Sequence, residues 1–240
     1  MLLAGVVMTK VILIFLLFCQ FATAGADYNT REKTNLIGAT GEAFDLNNQT
    51  LRYREYHYYS DDNLSHKVLY RDADDTLMVE KNIDYSSGFT TPEYTLLIGP
   101  EKKRASVQWQ NNELKLQDVE GATVMIQASR PLVIDAGFDH YVRENWLQLT
   151  AGKTLKFNFP LVNRSTLAKL RIKKSSCSYK SDTDVCFTLE VSNWLLRILL
   201  DPIELGYSPE SKALLRYRGL SNIEDEQGRG MVVDIHYNYD

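Results

Sequence analysis

The sequence predicts a mainly β fold, a large curved antiparallel sheet or half-barrel with two short helices. Three observations predict it. Apolar and polar residues alternate with period two in several runs, the mark of strands with one buried and one wet face. Turn-forming clusters separate those runs, among them Asp72-Ala73-Asp74-Asp75, Gly99-Pro100-Glu101, Gln110-Asn111-Asn112 and Ser208-Pro209-Glu210. Only two segments carry apolar residues at helical spacing.

The chain opens as a secretory leader. A lone Lys10 precedes the apolar run Val11 to Cys19 and then Ala22-Thr23-Ala24. The run is too short to span a bilayer, and the small residues Ala22 and Ala24 suit cleavage before Gly25, with a second site after Ala26. Residues 1–24 therefore read as a signal peptide and the destination as the periplasm, with no transmembrane anchor after cleavage. Met8 as the true start would keep the same Lys10. Lipidation at Cys19 is the competing reading, but bulky Leu17 and Phe18 stand where lipoprotein processing needs small side chains. Residues 25–48 are polar and read as a loosely ordered segment. Residues 49–240 read as a single mainly-β domain, with two lobes meeting near 135–152 as its variant.

From Tyr53 onward the pattern is strand, turn, strand. Leu77, Val79, Ile83 and Tyr85 alternate with Met78, Glu80, Asn82 and Asp84, and only Lys81 interrupts the apolar face. Met231, Val233, Ile235, Tyr237 and Tyr239 mark the clearest amphipathic strand. About eight to twelve strands follow, joined mostly as hairpins and hence antiparallel. Asp139 is placed to cap a helix in which Phe138, Tyr141 or Val142, Trp146 and Leu149 recur, with Gly152 as its stop. Ser192 or Asn193 is placed to cap a shorter helix from Trp194 to Leu200, ended by Asp201-Pro202.

Cleavage leaves about 216 residues (240 − 24), enough to bury a real core. Without Lys10 there are 26 basic (27 − 1) and 31 acidic residues, so the mature charge is about −5. That balance argues against nucleic acid as a partner. Cys177 and Cys186 are the cysteines left, and in an oxidising compartment they read as a disulfide stapling a hairpin across a polar, turn-prone stretch. The alternatives are a redox pair, usually spaced CxxC, or two metal ligands, which are too few for a zinc site.

Catalytic and metal signatures are weak. His140 and Glu144 share a helix face but lack a third ligand and the HExxH pattern. Asp72, Asp74 and Thr76 begin like a calcium loop, yet Leu77 replaces the required glycine and Ile83 the closing glutamate. No serine sits in a GxSxG elbow, and no glycine loop is built to cradle phosphate. The sequence thus names no catalytic residue, cofactor or metal site. Tyr53, Tyr56, Tyr58 and Tyr59, interleaved with Arg52, Arg54 and His57, suit stacking on bases or sugars, but aromatics are also ordinary strand formers. Asn48, Asn63 and Asn163 open sequons that matter only in a eukaryotic secretory pathway. Two dense mixed stretches, 135–146 and 201–223, supply Arg143, Arg216 and Arg218 as candidate contacts for an anion or partner; surface arginines covering apolar side chains are the plainer reading.

The leader, the serial strands, the Trp-bearing helix, the Tyr-rich opening strand and the late Asp201-Pro202-Ile203 together resemble secreted bacterial envelope proteins of unknown function. More remotely, the pattern resembles lipoprotein carriers of the LolA and LolB type, whose half-barrel wraps helices around an apolar cavity. That resemblance implies a non-enzymatic periplasmic protein with an apolar pocket for an acyl chain or lipid. The candidate lining is Trp146, Leu149, Trp194, Leu196 and Leu199, on helices that turn their apolar sides toward the sheet. An envelope assembly or interaction module with a solid core and a protein partner is the first alternative. A hydrolase of cell-wall glycans or peptides is the second.

Overall fold

A computed structural model describes residues 37–181, 183–195, 197, 200–225 and 229–239, and the backbone alone of Ile37. The leader, its cleavage sites and Cys19 lie outside the described residues. The described chain belongs to one compact unit, Thr34–Asp240.

Among the described residues, fourteen strands form one antiparallel sheet that does not close into a barrel. The first eight run as a meander: β1 (Ile37–Asp45), β2 (Leu51–Tyr59), β3 (Ser65–Asp72), β4 (Leu77–Asp84), β5 (Glu93–Ile98), β6 (Lys103–Gln110), β7 (Glu113–Gln117) and β8 (Thr123–Gln127). A connection carrying α1 (Gly137–Glu144) and α2 (Trp146–Thr150) leads to the second meander. That meander is β9 (Leu155–Leu161), β10 (Thr166–Ser175), β11 (Val185–Val191), β12 (Ile203–Tyr207), β13 (Leu214–Glu224) and β14 (Gly230–Tyr239). The two join where β14 pairs with β1, which leaves β8 and β9 as the edges.

The mainly β class, the antiparallel pairing and the two short helices are thus as the sequence predicts. Three expectations change. The strands exceed the predicted range, because β7 and β8 are only five residues each and too short to show a period. Residues 37–45 are not loosely ordered: β1 lies inside the sheet between β2 and β14. Its core-facing side is Ala39, Gly41 and Ala43, small residues that leave room for large neighbours, as a Cβ on Gly41 would lie 2.9 Å from the Tyr237 ring. Among the described residues both α-helices come from the single 137–150 segment. The first starts at Gly137 rather than after Asp139, whose carboxylate falls in the first helical turn, where the helix dipole favours it. Asn145 separates α1 from α2, and Gly152, the predicted stop, follows with φ +85°.

The core has two parts. One is built on β1 to β7 and β13–β14, with Tyr53, Val68, Val107, Leu114, Leu116 and Val233 nearly inaccessible to solvent. The other packs α1 and α2 against β9–β12 through Val142, Trp146, Leu149, Phe157, Phe187 and Tyr207. Successive residues of the extended connection divide between them, Val133 into the second and Ile134 into the first. That connection is held on both sides: Val133 N–H donates to the Asn158 carbonyl of β9 at 3.0 Å, and Ile134 N–H to the Thr90 carbonyl at 3.0 Å. The two-lobe variant therefore survives only as two cores under one continuous sheet.

Candidate functional site

Of the predicted pocket residues, the described ones divide between a core and the surface. Trp146 is buried, with its ring edge-on to Phe187 at 5.5 Å and Tyr207 at 6.0 Å, and Leu149 is fully buried beside them. These side chains fill the second core. Trp194 is 64% exposed and Leu195 54%, in a turn where Arg197 N–H donates to the Asn193 carbonyl at 3.2 Å. Leu196 and Leu199, with residue 198 of the predicted 194–200 helix, lie outside the described residues. Trp146 and Leu149 thus lie in the packed second core, and Trp194 lies at the surface.

The three candidate arginines already have carboxylate partners. Arg143 Nη2 lies 2.5 Å from Asp139 Oδ2, one helical turn away. Arg216 grips Asp234 with two bonds, Nε to Oδ1 at 2.7 Å and Nη2 to Oδ2 at 2.6 Å, and Arg218 Nε lies 3.3 Å from the same carboxylate. Burial alone would raise the Asp234 pKa, but hydrogen bonding and charge from Arg216, aided by His236 and Arg218, hold it below the ordinary carboxylate value.

This cluster supports the disulfide loop. Cys177 and Cys186 are bonded, and Tyr179 within the loop lays its ring 4.1 Å from the Arg216 guanidinium. Tyr179 Oη donates to Asp184 Oδ2 at 2.7 Å, and Ser178 N–H donates to Glu204 Oε1 at 2.9 Å. Gly206 makes the notch beneath it, since a Cβ there would fall 1.8 Å from Tyr179 Oη.

Sequence reasoning missed an internal polar chain on β2 and β3. Glu55 Oε2 lies 3.0 Å from His57 Nε2, His57 Nδ1 lies 3.0 Å from His66 Nε2, and Tyr237 Oη donates to Glu55 Oε2 at 3.1 Å. With Glu55 ionised, His57 Nε2–H donates to it, which leaves His57 Nδ1 to accept from His66 Nε2–H. The ring of Tyr59 stacks on His66 at 4.2 Å. Burial, reinforced by the charges of His57, Lys81 and His140, pushes the His66 imidazole down to about 2. The signal was in the parity: Glu55, His57 and Tyr59 share the alternate positions of Tyr53, the apolar side of β2. His66 Nδ1 has no hydrogen-bond partner among the described residues, and the hydroxyl at the other end of the chain is that of Tyr237.

The metal-like motifs have other roles. The His140 ring packs 5.0 Å from Tyr85 and 4.9 Å from Phe89. Asp72 Oδ1 accepts the backbone N–H groups of Asp74 and Thr76 at 3.0 and 2.8 Å, closing a hairpin turn. Among the described residues, no group of three His, Cys, Asp or Glu is arranged to hold a metal.

Trp194 and Leu195 instead wall a surface groove of about 610 Å³ with Leu167, Ala168, Lys169 and Val191. Ser192 N–H donates to the Lys169 carbonyl at 2.7 Å, tying the start of the β11–β12 connection to β10. The groove is apolar along most of its length, with one ammonium at its side. No protein-family model matches the chain, nor does any curated protein or solved structure, so the groove is interpreted from its own chemistry.

Proposed function

We propose that this is an exported, non-enzymatic periplasmic protein that binds an acyl chain or similar apolar ligand in the Trp194 groove. One observation carries the reading: a large indole and a leucine, each more than half exposed, face a groove big enough for part of a lipid tail. Leaving such side chains in water is costly unless something covers them. Lys169 gives the groove a cation for an acidic head group. The hydrolase alternative would have to draw on the Glu55–His57–His66 chain, which is no part of the groove.

A fluorescent fatty-acid probe titrated into the mature protein tests this. Binding in the micromolar range, about −8 kcal/mol, with quenching of the Trp194 indole, is expected. Trp194→Ala should abolish it. If Trp194→Ala binds the probe as well as the parent, the groove is not the site. If the parent binds no probe at all, the envelope interaction module takes over, since the same exposed side chains would serve a protein partner. Intact mass and cell fractionation check the location, with a soluble periplasmic chain beginning at Gly25 or Asp27 as the expected result.

A further inference from the structure

We infer that the β9–β11 face docks this protein on the surface of an anionic phospholipid bilayer. Period two on β10 puts Lys169, Arg171 and Lys173 on one side, opposite core-packed Leu170 and Ile172. Pairing register places Lys156 of β9 and Glu190 of β11 on either side of Arg171. Arg197 joins from the next connection, its Nη1 3.4 Å from Glu190 Oε1.

Five cations (Lys156, Lys169, Arg171, Lys173, Arg197) thus share this face of β9–β11 and its next connection with one carboxylate, Glu190, a local charge of +4 (5 − 1) on a chain whose net charge is −4. Glu190 binds Arg171 and sits 3.4 Å from Lys173 Nζ, fixing the middle of the patch and leaving its periphery unneutralised. The imbalance is local, because on β12–β14 two carboxylates, Glu204 and Asp234, flank Arg218 in the register and Asp234 also holds Arg216.

Charge complementarity points to an anionic partner, and the adjoining apolar residues select a membrane. Trp194, Leu195 and Leu200 are each at least half exposed in the connection that carries Arg197. Indole and leucine beside a row of lysine and arginine is the composition that settles into the headgroup layer of acidic bilayers. The inference draws on the export reading but not on what the groove holds.

Co-sedimentation of the mature protein with phosphatidylcholine vesicles, with and without phosphatidylglycerol, tests it. Binding to the phosphatidylglycerol vesicles alone, weakening as salt rises, is expected. Lys156 and Lys173 lie outside the groove, so K156E/K173E separates the two sites. At about fivefold per cation it should lower vesicle partitioning by at least about 25-fold while probe affinity stays unchanged, and the like charge that K173E sets beside Glu190 should lower the melting temperature only slightly. Equal binding to both vesicle types, no binding, or undiminished binding by K156E/K173E would each overturn the docking. Vesicle binding that fails while the probe still binds defeats the docking alone; the reverse pattern defeats the groove alone.

Discussion

Lys81 Nζ lies 2.7 Å from Asp135 Oδ2, joining β4 to the connection that leads into α1. Lys81 holds a core-facing position between Val79 and Ile83, and its ammonium also lies 5.8 Å from the ring centres of Tyr70 and Tyr94. Burial alone would lower its pKa, but the charge and hydrogen bond of Asp135 outweigh that, so the net direction is upward. The one polar residue in the strand's apolar stripe is therefore an anchor between the sheet and the helical connection.

Lys81→Met should destabilise the protein near the low end of the ~3–5 kcal/mol seen when one partner of a buried pair is removed, because Asp135 retains some contact with solvent. K81M/D135N should cost less than the sum of the single changes, since neither variant residue leaves a charge behind. Urea denaturation of the three variants measures the coupling. Strict additivity would mean that the pair does not hold the connection.

His66 makes the fold acid-sensitive. Its imidazole is pushed from 6.5 to about 2, so between those values the unfolded chain takes up a proton that the folded chain refuses. This contribution to stability is complete above pH 6.5 and is lost as pH falls, at up to about 1.4 kcal/mol per pH unit. His66→Phe should flatten that slope in denaturation curves recorded from neutral to mildly acidic pH. A slope unchanged by the substitution would assign the acid sensitivity to other groups.

The disulfide loop should be stabilising but dispensable. Closing a loop of about ten residues is worth roughly 2–3 kcal/mol in the chain-entropy model, so C177S/C186S should fold with a lowered melting temperature. Two titratable thiols in the native protein would contradict the bond.

Gly206→Ala should cost about 1–3 kcal/mol by lifting Tyr179 away from Arg216. In a Tyr179→Ala background the same change should be nearly free. A penalty that persists there would place the strain in the strand itself.

The two tryptophans should behave oppositely. Trp146→Ala empties the second core and should cost about 3–5 kcal/mol, whereas Trp194→Ala should alter stability by no more than about 0.5 kcal/mol. Thermal melts decide this independently of any ligand.

Alternation made β4 and β14 legible, because their buried positions carry large apolar side chains. It failed at β1, where Ala39, Gly41 and Ala43 face inward and hydrophobicity gives no contrast. Helical spacing located α1 and α2 and also suggested a helix at 194–200, where the described apolar residues Trp194, Leu195 and Leu200 are each at least half exposed. Arg216 and Arg218 were legible as candidate contacts but not as paired ones. Their partner Asp234 sits on the polar side of β14, and only the sheet register brings it opposite Arg218. The Glu55–His57–His66 chain needed that same register, since it crosses from β2 to β3.

The seam between β1 and β14 governs how this chain must fold. Ala39 pairs with Tyr239, 200 positions later (239 − 39), so β1 waits for its second neighbour until nearly all the intervening chain is in place. Each meander can grow from local hairpins, but the step that makes them one sheet has high contact order and should be slow. Until then two unpaired strand edges, one from each meander, are open to other chains, which makes a partly assembled molecule prone to aggregate.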